Sequence, residues 1–407
     1  MPSSTINELR IDILCQQFRK QLESIVTWWS TVAVDQVNGG FVGEVDGNDQ
    51  PRADADKGII LNARVLWFFS EAAIYLDDSQ VRLNADRAYD YLTQYFIDKD
   101  YGGVYWQLDR RGRVVDNRKK TYALAFAIYG LSSYYKLTKN PDALRLAMEQ
   151  FDTIEKHCHD DHFGGYVEAH SCRWERLDDM RLGDNDANLP KSQNAHLHIL
   201  EAYTNLFSIS QNSRVESSLR RCLDYFDQHI IDKITWHLRL FMDERWRDHS
   251  TTWSFGHDIE CSWLLSKAGH ALGEENANVD HTVIQLAEAC LDQGFTASGK
   301  VLDDYNFRDK HANSESCWWV QAEASVGFLN AYRVSGQFKY LSAFESVWAH
   351  IQREHIDTVN GEWHWLGLSD QSRAEPHYKA GFWKAPYHNG RAMMECEKLL
   401  KAISAKR

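Results

Sequence analysis

Residues 102–137 read GGVYWQLDRRGRVVDNRKKTYALAFAIYGLSSYYKL, and the fold follows from this stretch. Gly102-Gly103 opens a short alternating run, Val104-Tyr105-Trp106-Gln107-Leu108, the pattern of a turn feeding a strand. From Thr121 to Leu137 the chain is apolar on nearly every side, and a helix of that kind is buried. The block recurs. Gly39-Gly40-Phe41 stands 63 residues before it and Gly164-Gly165-Tyr166 stands 62 after. Degenerate copies follow at Thr235-Trp236-His237, Ser298-Gly299-Lys300 and Gly361-Glu362-Trp363. That makes six units, one of them about ten residues longer than the rest.

Each unit holds two helical segments. One follows the turn and is unusually apolar: Gly58–Leu76, Thr121–Leu137, Ser192–Ile209, Phe255–Leu272, Trp318–Val334 and His388–Leu400. The other is amphipathic and precedes the next turn, as in Ser79–Ile97, Pro141–His157 and Val215–Ile230. Buried helices alternating with half-exposed ones describe an inner ring within an outer ring. The expected fold is therefore all-α, an (α/α)6 barrel of six helical hairpins with short β-hairpins at one end. No Pro/Ser-rich linker interrupts it, so a single domain is expected over residues 1–407. Only 6 prolines in 407 residues suit long helices.

Composition narrows the function. Net charge is −13 with no Lys/Arg-rich block, which argues against nucleic acid as a partner. Eight scattered cysteines with no C-x-x-C pair read as reduced thiols. The N-terminus shows no apolar signal core, and no run is expected to reach the ~18 apolar residues of a membrane span. A soluble cytoplasmic protein is expected, monomeric or a weak homodimer. The 15 Trp, 18 Tyr and 18 Phe serve packing first, but aromatic faces also suit a sugar.

The inner helices carry polar residues where core belongs. They are Asn62, Arg64 and Glu71; Asn194, His196, His198 and Glu201; His257, Asp258 and Glu260; Gln321 and Glu323; and His388, Asn389 and Arg391. Such groups must pair with each other or line a wet cavity. His198 shares a helix face with Asn194 and Glu201, whereas His196 points roughly 200° away from it. His198 is therefore the one expected to face the axis. Three histidines and an arginine, each near the start of a different inner helix, converge at one end of the barrel. Three readings compete for this cluster. Zinc or manganese would use the histidines with Glu260, but H-x-x-E is not H-E-x-x-H and Arg64 repels a cation. A glycosidase would use Glu260 and Glu323 as its two carboxyl groups, but has little use for three imidazoles. Proton transfer suits imidazoles directly.

Five ordered motifs carry a family resemblance: LNAR at 61–64, NAHLHILEAYTNL at 194–206, FGHDIE at 255–260, WWVQAEA at 318–324 and GFWKAPYHN at 381–389. Together they resemble the N-acylglucosamine 2-epimerase superfamily over essentially the whole chain. Gln193 and Ala385 depart from its pattern, where Met and Cys are expected. The resemblance implies no cofactor and no metal. It implies a small sugar substrate, with glucose and mannose interconverted at the reducing end of a β-1,4-linked disaccharide. A free-mannose 2-epimerase or an aldose–ketose isomerase on the same scaffold are the alternatives. It further implies that His257 and His388 exchange acid and base roles across C2, and that His198 and Arg64 stabilise the enediolate. Glu260 is expected to orient His257. Trp383 and Trp319 would supply flat faces, and Tyr122, Asn194 and Glu323 polar contacts. The loops around 300–308 and 174–190 are where the second sugar unit would be read.

Overall fold

In a computed structural model, which describes residues 6–184, 186–273, 277–371 and 377–405, six inner helices form a ring inside six outer ones. The inner set is α2 (Ile59–Leu76), α4 (Thr121–Thr138), α6 (Gln193–Ser210), α8 (Phe255–Ala271), α10 (Trp318–Ser335) and α12 (His388–Ala405). Each packs on the next, and α12 closes the ring against α2. The outer set is α1 (Glu8–Thr31), α3 (Ser79–Tyr91), α5 (Pro141–Thr153), α7 (Ser213–Tyr225), α9 (Ala277–Ala289) and α11 (Phe338–Glu354). In α2, every residue from Ile59 to Ala73 is buried, whereas α5 buries only one stripe, Ala143, Leu146, Ala147, Gln150 and Phe151. This is the difference between a helix packed on all sides and one with a wet face. α2 is also long and apolar enough to cross a bilayer, contrary to the expectation that no such run exists. Its place in the ring explains the composition, since 83% of that window is buried inside the protein.

Four inner helices join the next outer helix through two-residue corners. Asp77, Lys139, Gln211 and Gly336 take the left-handed conformation after α2, α4, α6 and α10, and satisfy a carbonyl of the last turn. In three corners the next residue is the N-cap of the outer helix through its side chain: Asp78, Asn140 and Asn212. A corner this short leaves the two helices antiparallel.

The sixfold repeat reappears at the turns. Single bridges join Val34 to Phe41, Ile97 to Val104, His159 to Tyr166, Ile231 to Leu238, Phe295 to Val301 and Ile356 to Trp363, one per unit. Gly39, Gly102, Gly164 and Gly361 take positive φ at the matching turn position. Trp236 stands there in the fourth unit with φ 59°, which is why its copy reads as degenerate. The strands are short and precede the inner helices, for example Lys57–Gly58 and Thr252–Ser254. The hairpins therefore lie beside the starts of the inner helices rather than at the opposite end.

A ladder of buried ion pairs staples turn to barrel, and periodicity alone did not reveal it. Lys57 Nζ donates to Asp35 at 2.8 Å, Lys119 to Asp98 at 2.6 Å, Lys191 to Asp160 at 2.8 Å and Lys379 to Asp357 at 2.7 Å. Each aspartate also accepts backbone N–H groups of its turn, as Asp98 does from Asp100 and Tyr101. Lys119 and Asp98 are 0% and 2% exposed at the side chain. Removing one partner strands the other in low dielectric, at a cost of about 3–5 kcal/mol. Asp98→Ala should therefore lower the urea midpoint sharply, and adding Lys119→Met should restore most of the loss. Equal stability of the single and double variants would show that the pair is not the cause.

Candidate active site

The starts of α6, α8, α10 and α12 bring the predicted histidines together, and each is held through Nδ1. His198 Nδ1 meets Glu201 Oε2 at 3.2 Å, one turn along α6. His257 Nδ1 meets Ser254 Oγ at 2.7 Å, just before α8. His388 Nδ1 meets Glu323 Oε1 at 2.6 Å, across from α12 to α10. Anchoring at Nδ1 leaves Nε2 as the nitrogen for chemistry. The rings gather around His388. Trp319 lies 4.8 Å from His257 and 5.5 Å from His388, ring to ring. Tyr387 lies 6.2 Å from His198 and 4.6 Å from His388. His196 faces elsewhere. Its two nitrogens are occupied by Ser192 O at 2.6 Å and Tyr166 N–H at 3.0 Å, so it braces the hairpin.

A cavity of about 360 Å³ opens beside His257, within the range of small-ligand sites. His257, Asn194 and Trp319 line it, and Asn194 Oδ1 has no partner within the protein. Trp319 is part-exposed, whereas Trp318 is buried against Trp365. His198, His388, Arg64 and Tyr122 are only 3–6% exposed and do not line that cavity, although His388 touches the Trp319 that does. Trp383 is part-exposed and 6.3 Å from the Tyr122 ring. The loops at 174–190 and 300–308 form the cavity's outer wall through Met180, Arg181, Asp186, Asp303 and Asp304.

Two arginines meet opposite surroundings. Arg64 donates to Trp383 O at 2.7 Å and Tyr122 Oη at 2.8 Å, with its guanidinium 4.4 Å from the Phe126 ring. Among the described residues no carboxylate pairs with it. Arg391, fully buried, holds three: Glu201, Glu260 at 2.5 Å and Glu323 at 2.7 Å. Glu201 Oε2 also accepts from Tyr387 Oη. The expectation for Glu260 and Glu323 is corrected here. Glu260 makes no bond to His257, whose Nδ1 belongs to Ser254, and Glu323 is bonded within the protein to Arg391 and His388. Both turn to Arg391, a cation on the barrel axis that the sequence separation hides. Glu260, Glu323 and His388 also offer the only three-ligand group for a metal among the described residues, but Arg391 already occupies its carboxylates.

Burial would raise Glu201, but Arg391 and the hydrogen bonds from His198 and Tyr387 outweigh it and hold it at about 2. Burial and the neighbouring Glu323 lift Glu260 to about 7, so one guanidinium does not ionise all three carboxyls at neutral pH. Burial, reinforced by His198, pushes His257 down to about 3, and burial with Arg64 and Arg391 holds His388 well below the usual range. Both rings are therefore neutral bases at rest. Their NMR signals should keep neutral-ring shifts from pH 8 down to 5, where a free imidazole is half-protonated near 6.5. The unfolded chain takes up that proton and the folded one does not, so wild type should lose ground against His257→Asn as pH falls below 6.5. Titration of His257 near 6.5 would contradict this.

Comparison with known proteins places the chain in one family. Residues 39–392 match the N-acylglucosamine 2-epimerase (GlcNAc 2-epimerase) family. The chain is 42% identical over 387 residues to the cellobiose 2-epimerase of Bacteroides fragilis, covering 94% of this chain and 98% of that protein. It is 38% identical over 389 residues to the cellobiose 2-epimerase of Ruminococcus albus, with the same coverages. The solved structure of cellobiose 2-epimerase from Bacillus thermoamylovorans superposes with a TM-score of 0.91 at 33% identity, covering 95% and 99% of the two chains.

Proposed function

The chain belongs to the N-acylglucosamine 2-epimerase family and is a sugar 2-epimerase, and we propose that it inverts C2 of the reducing-end sugar of a β-1,4-linked disaccharide such as cellobiose. The observation that carries the mechanism is Arg64, a buried guanidinium whose charge acts on His388 and which pairs with no carboxylate among the described residues. Burying such a charge is costly, and an anionic intermediate supplies what it lacks.

The C2 proton is acidic only beside an open-chain aldehyde, so the ring opens first, assisted by His388. One imidazole, His257 or His388 according to direction, takes that proton at Nε2. The C2–H electrons move into the C1–C2 bond, and the carbonyl pair moves onto O1. The enediolate is held by Arg64, whose charge is fixed at every working pH, and by His198. The other imidazole takes a proton from solvent and delivers it to the opposite face of C2. The C1–C2 pair forms the new C–H bond, the O1 pair restores the carbonyl, and the first ring then releases its proton to solvent, so that both return to the neutral state. Trp319 and Trp383 offer flat apolar faces, and Asn194 and Tyr122 bind hydroxyls. The second sugar lies between the loops at 174–190 and 300–308, which is what favours a disaccharide over free mannose. The single barrel domain over 1–407 acts as a monomer or weak homodimer in the cytoplasm. Eight cysteines that form no disulfide support that reducing setting.

His257→Ala and His388→Ala should each cut epimerisation of cellobiose by at least ~10²–10⁴ while the circular dichroism spectrum stays native. Full activity in either variant refutes the two-base scheme. In heavy water the glucosyl-mannose product should carry deuterium at C2. A ketose product in place of it would mark an aldose–ketose isomerase, and turnover of free mannose alone would mark a monosaccharide enzyme.

A further inference from the structure

The deepest feature of the site is a continuous hydrogen-bonded chain between two imidazoles that do not bond each other. It runs from His198 Nδ1 to Glu201 Oε2 at 3.2 Å, and from Glu201 Oε1 to Arg391 Nη1. It continues from Arg391 Nη2 to Glu323 Oε1 at 2.7 Å, and from Glu323 Oε1 to His388 Nδ1 at 2.6 Å. α6, α10 and α12 each contribute, and Tyr387 Oη adds a second tie between Glu201 and Arg391. Every atom of the chain is nearly sealed from solvent: Arg391 and Glu323 are 0% exposed and Glu201 4%.

We propose that Arg391 is a positioning residue that couples His198 to His388, with Glu201 and Glu323 as its two arms. This rests on the reading of the site as a C2 epimerisation centre. A guanidinium is planar, and its two amino groups diverge at a fixed angle. Nη1 therefore fixes where Glu201 stands, and Nη2 fixes Glu323. Each carboxylate in turn accepts from one Nδ1–H and so sets both the tautomer and the tilt of its ring. Both rings then present Nε2 as one rigid unit. The coupling matters to the reaction. When His388 is loaded with the C2 proton, its imidazolium draws on the same Glu323 oxygen that Arg391 uses. The oxygen is shared, so the charge at His388 is felt along the chain at Glu201 and His198. The three linking residues Glu201, Arg391 and Glu323 do not line the cavity beside His257. Of these residues Glu201 alone lines a second cavity of about 500 Å³, between α2, α4, α6, α8 and α12.

A merely structural role for these carboxylates would give independent losses. Coupling predicts shared ones. Glu201→Gln and Glu323→Gln keep shape and lose charge. Each should lower kcat for cellobiose at least tenfold with KM within twofold of wild type. The double variant should be no more than about threefold below the worse single, far short of the product of the two losses. Independently of turnover, the ¹⁵N shift of His388 Nδ1 should move in Glu201→Gln, although Glu201 does not touch His388. Should Glu201→Gln fail to fold, Arg391→Lys, which keeps the charge and loses the fork, should move the His198 and His388 signals together. Multiplying losses, a rise in KM with kcat unchanged, or a His388 signal blind to Glu201 overturns the proposal. Absence of C2-epimerised product from wild type overturns the functional reading instead, and leaves the NMR result to decide the coupling.

Discussion

One buried cation constrains the rest of this site. Arg391 stands on α12, the helix that closes the inner ring, and binds carboxylates from α6, α8 and α10. A buried ion pair seldom adds stability over an apolar substitute, since desolvation consumes most of the Coulombic gain. Its use is geometric. Three helices must present Glu201, Glu260 and Glu323 to one point, and that fixes their rotation about their own axes. The same rotation turns His198 of α6 and His257 of α8 inward, and Glu323 of α10 holds His388 of α12 beside them. The axial charge and the catalytic geometry are therefore one constraint.

The contrast with Arg64 explains the chemistry. Both guanidiniums are buried and both stack on aromatic rings, Arg391 over Trp263 and Tyr387, Arg64 over Phe126 and Tyr387. Arg391 is saturated by acids and cannot serve a transient anion. Among the described residues Arg64 is bonded to a carbonyl and a phenol and to no acid, so its charge is available. Surrounding the imidazoles with low dielectric and positive charge keeps them neutral at rest, which is the state a proton-abstracting base requires. Glu323 behind His388 then stabilises the ring once it is loaded.

Much of this was legible in the chain. The turn at Gly102-Gly103 and its copies reported the sixfold repeat because a left-handed residue recurs at a fixed place. The choice of His198 over His196 came from helix phase alone, and the structure ties His196 to Ser192 and Tyr166 instead. What the chain did not disclose was pairing over distance. Glu260 shares a face with His257 but answers to Arg391, 131 residues away, because a full guanidinium outcompetes a neutral imidazole for a buried carboxylate. Ser254 escaped because its role depends on the bend before α8, not on helix period. The Lys–Asp ladder escaped because each lysine reaches back across a hairpin. The apolar run at 59–76 has the composition of a membrane span, and only the ring around it shows why it is buried.

The most direct measurement is a crystal structure with a reduced, open-chain disaccharide alditol bound. The account predicts C2 between Nε2 of His257 and Nε2 of His388, about 3–3.5 Å from each and on opposite faces, with the Arg64 guanidinium on the C1 or C2 oxygen. A ligand whose C2 meets both imidazoles from one side, or whose oxygens ignore Arg64, would contradict it.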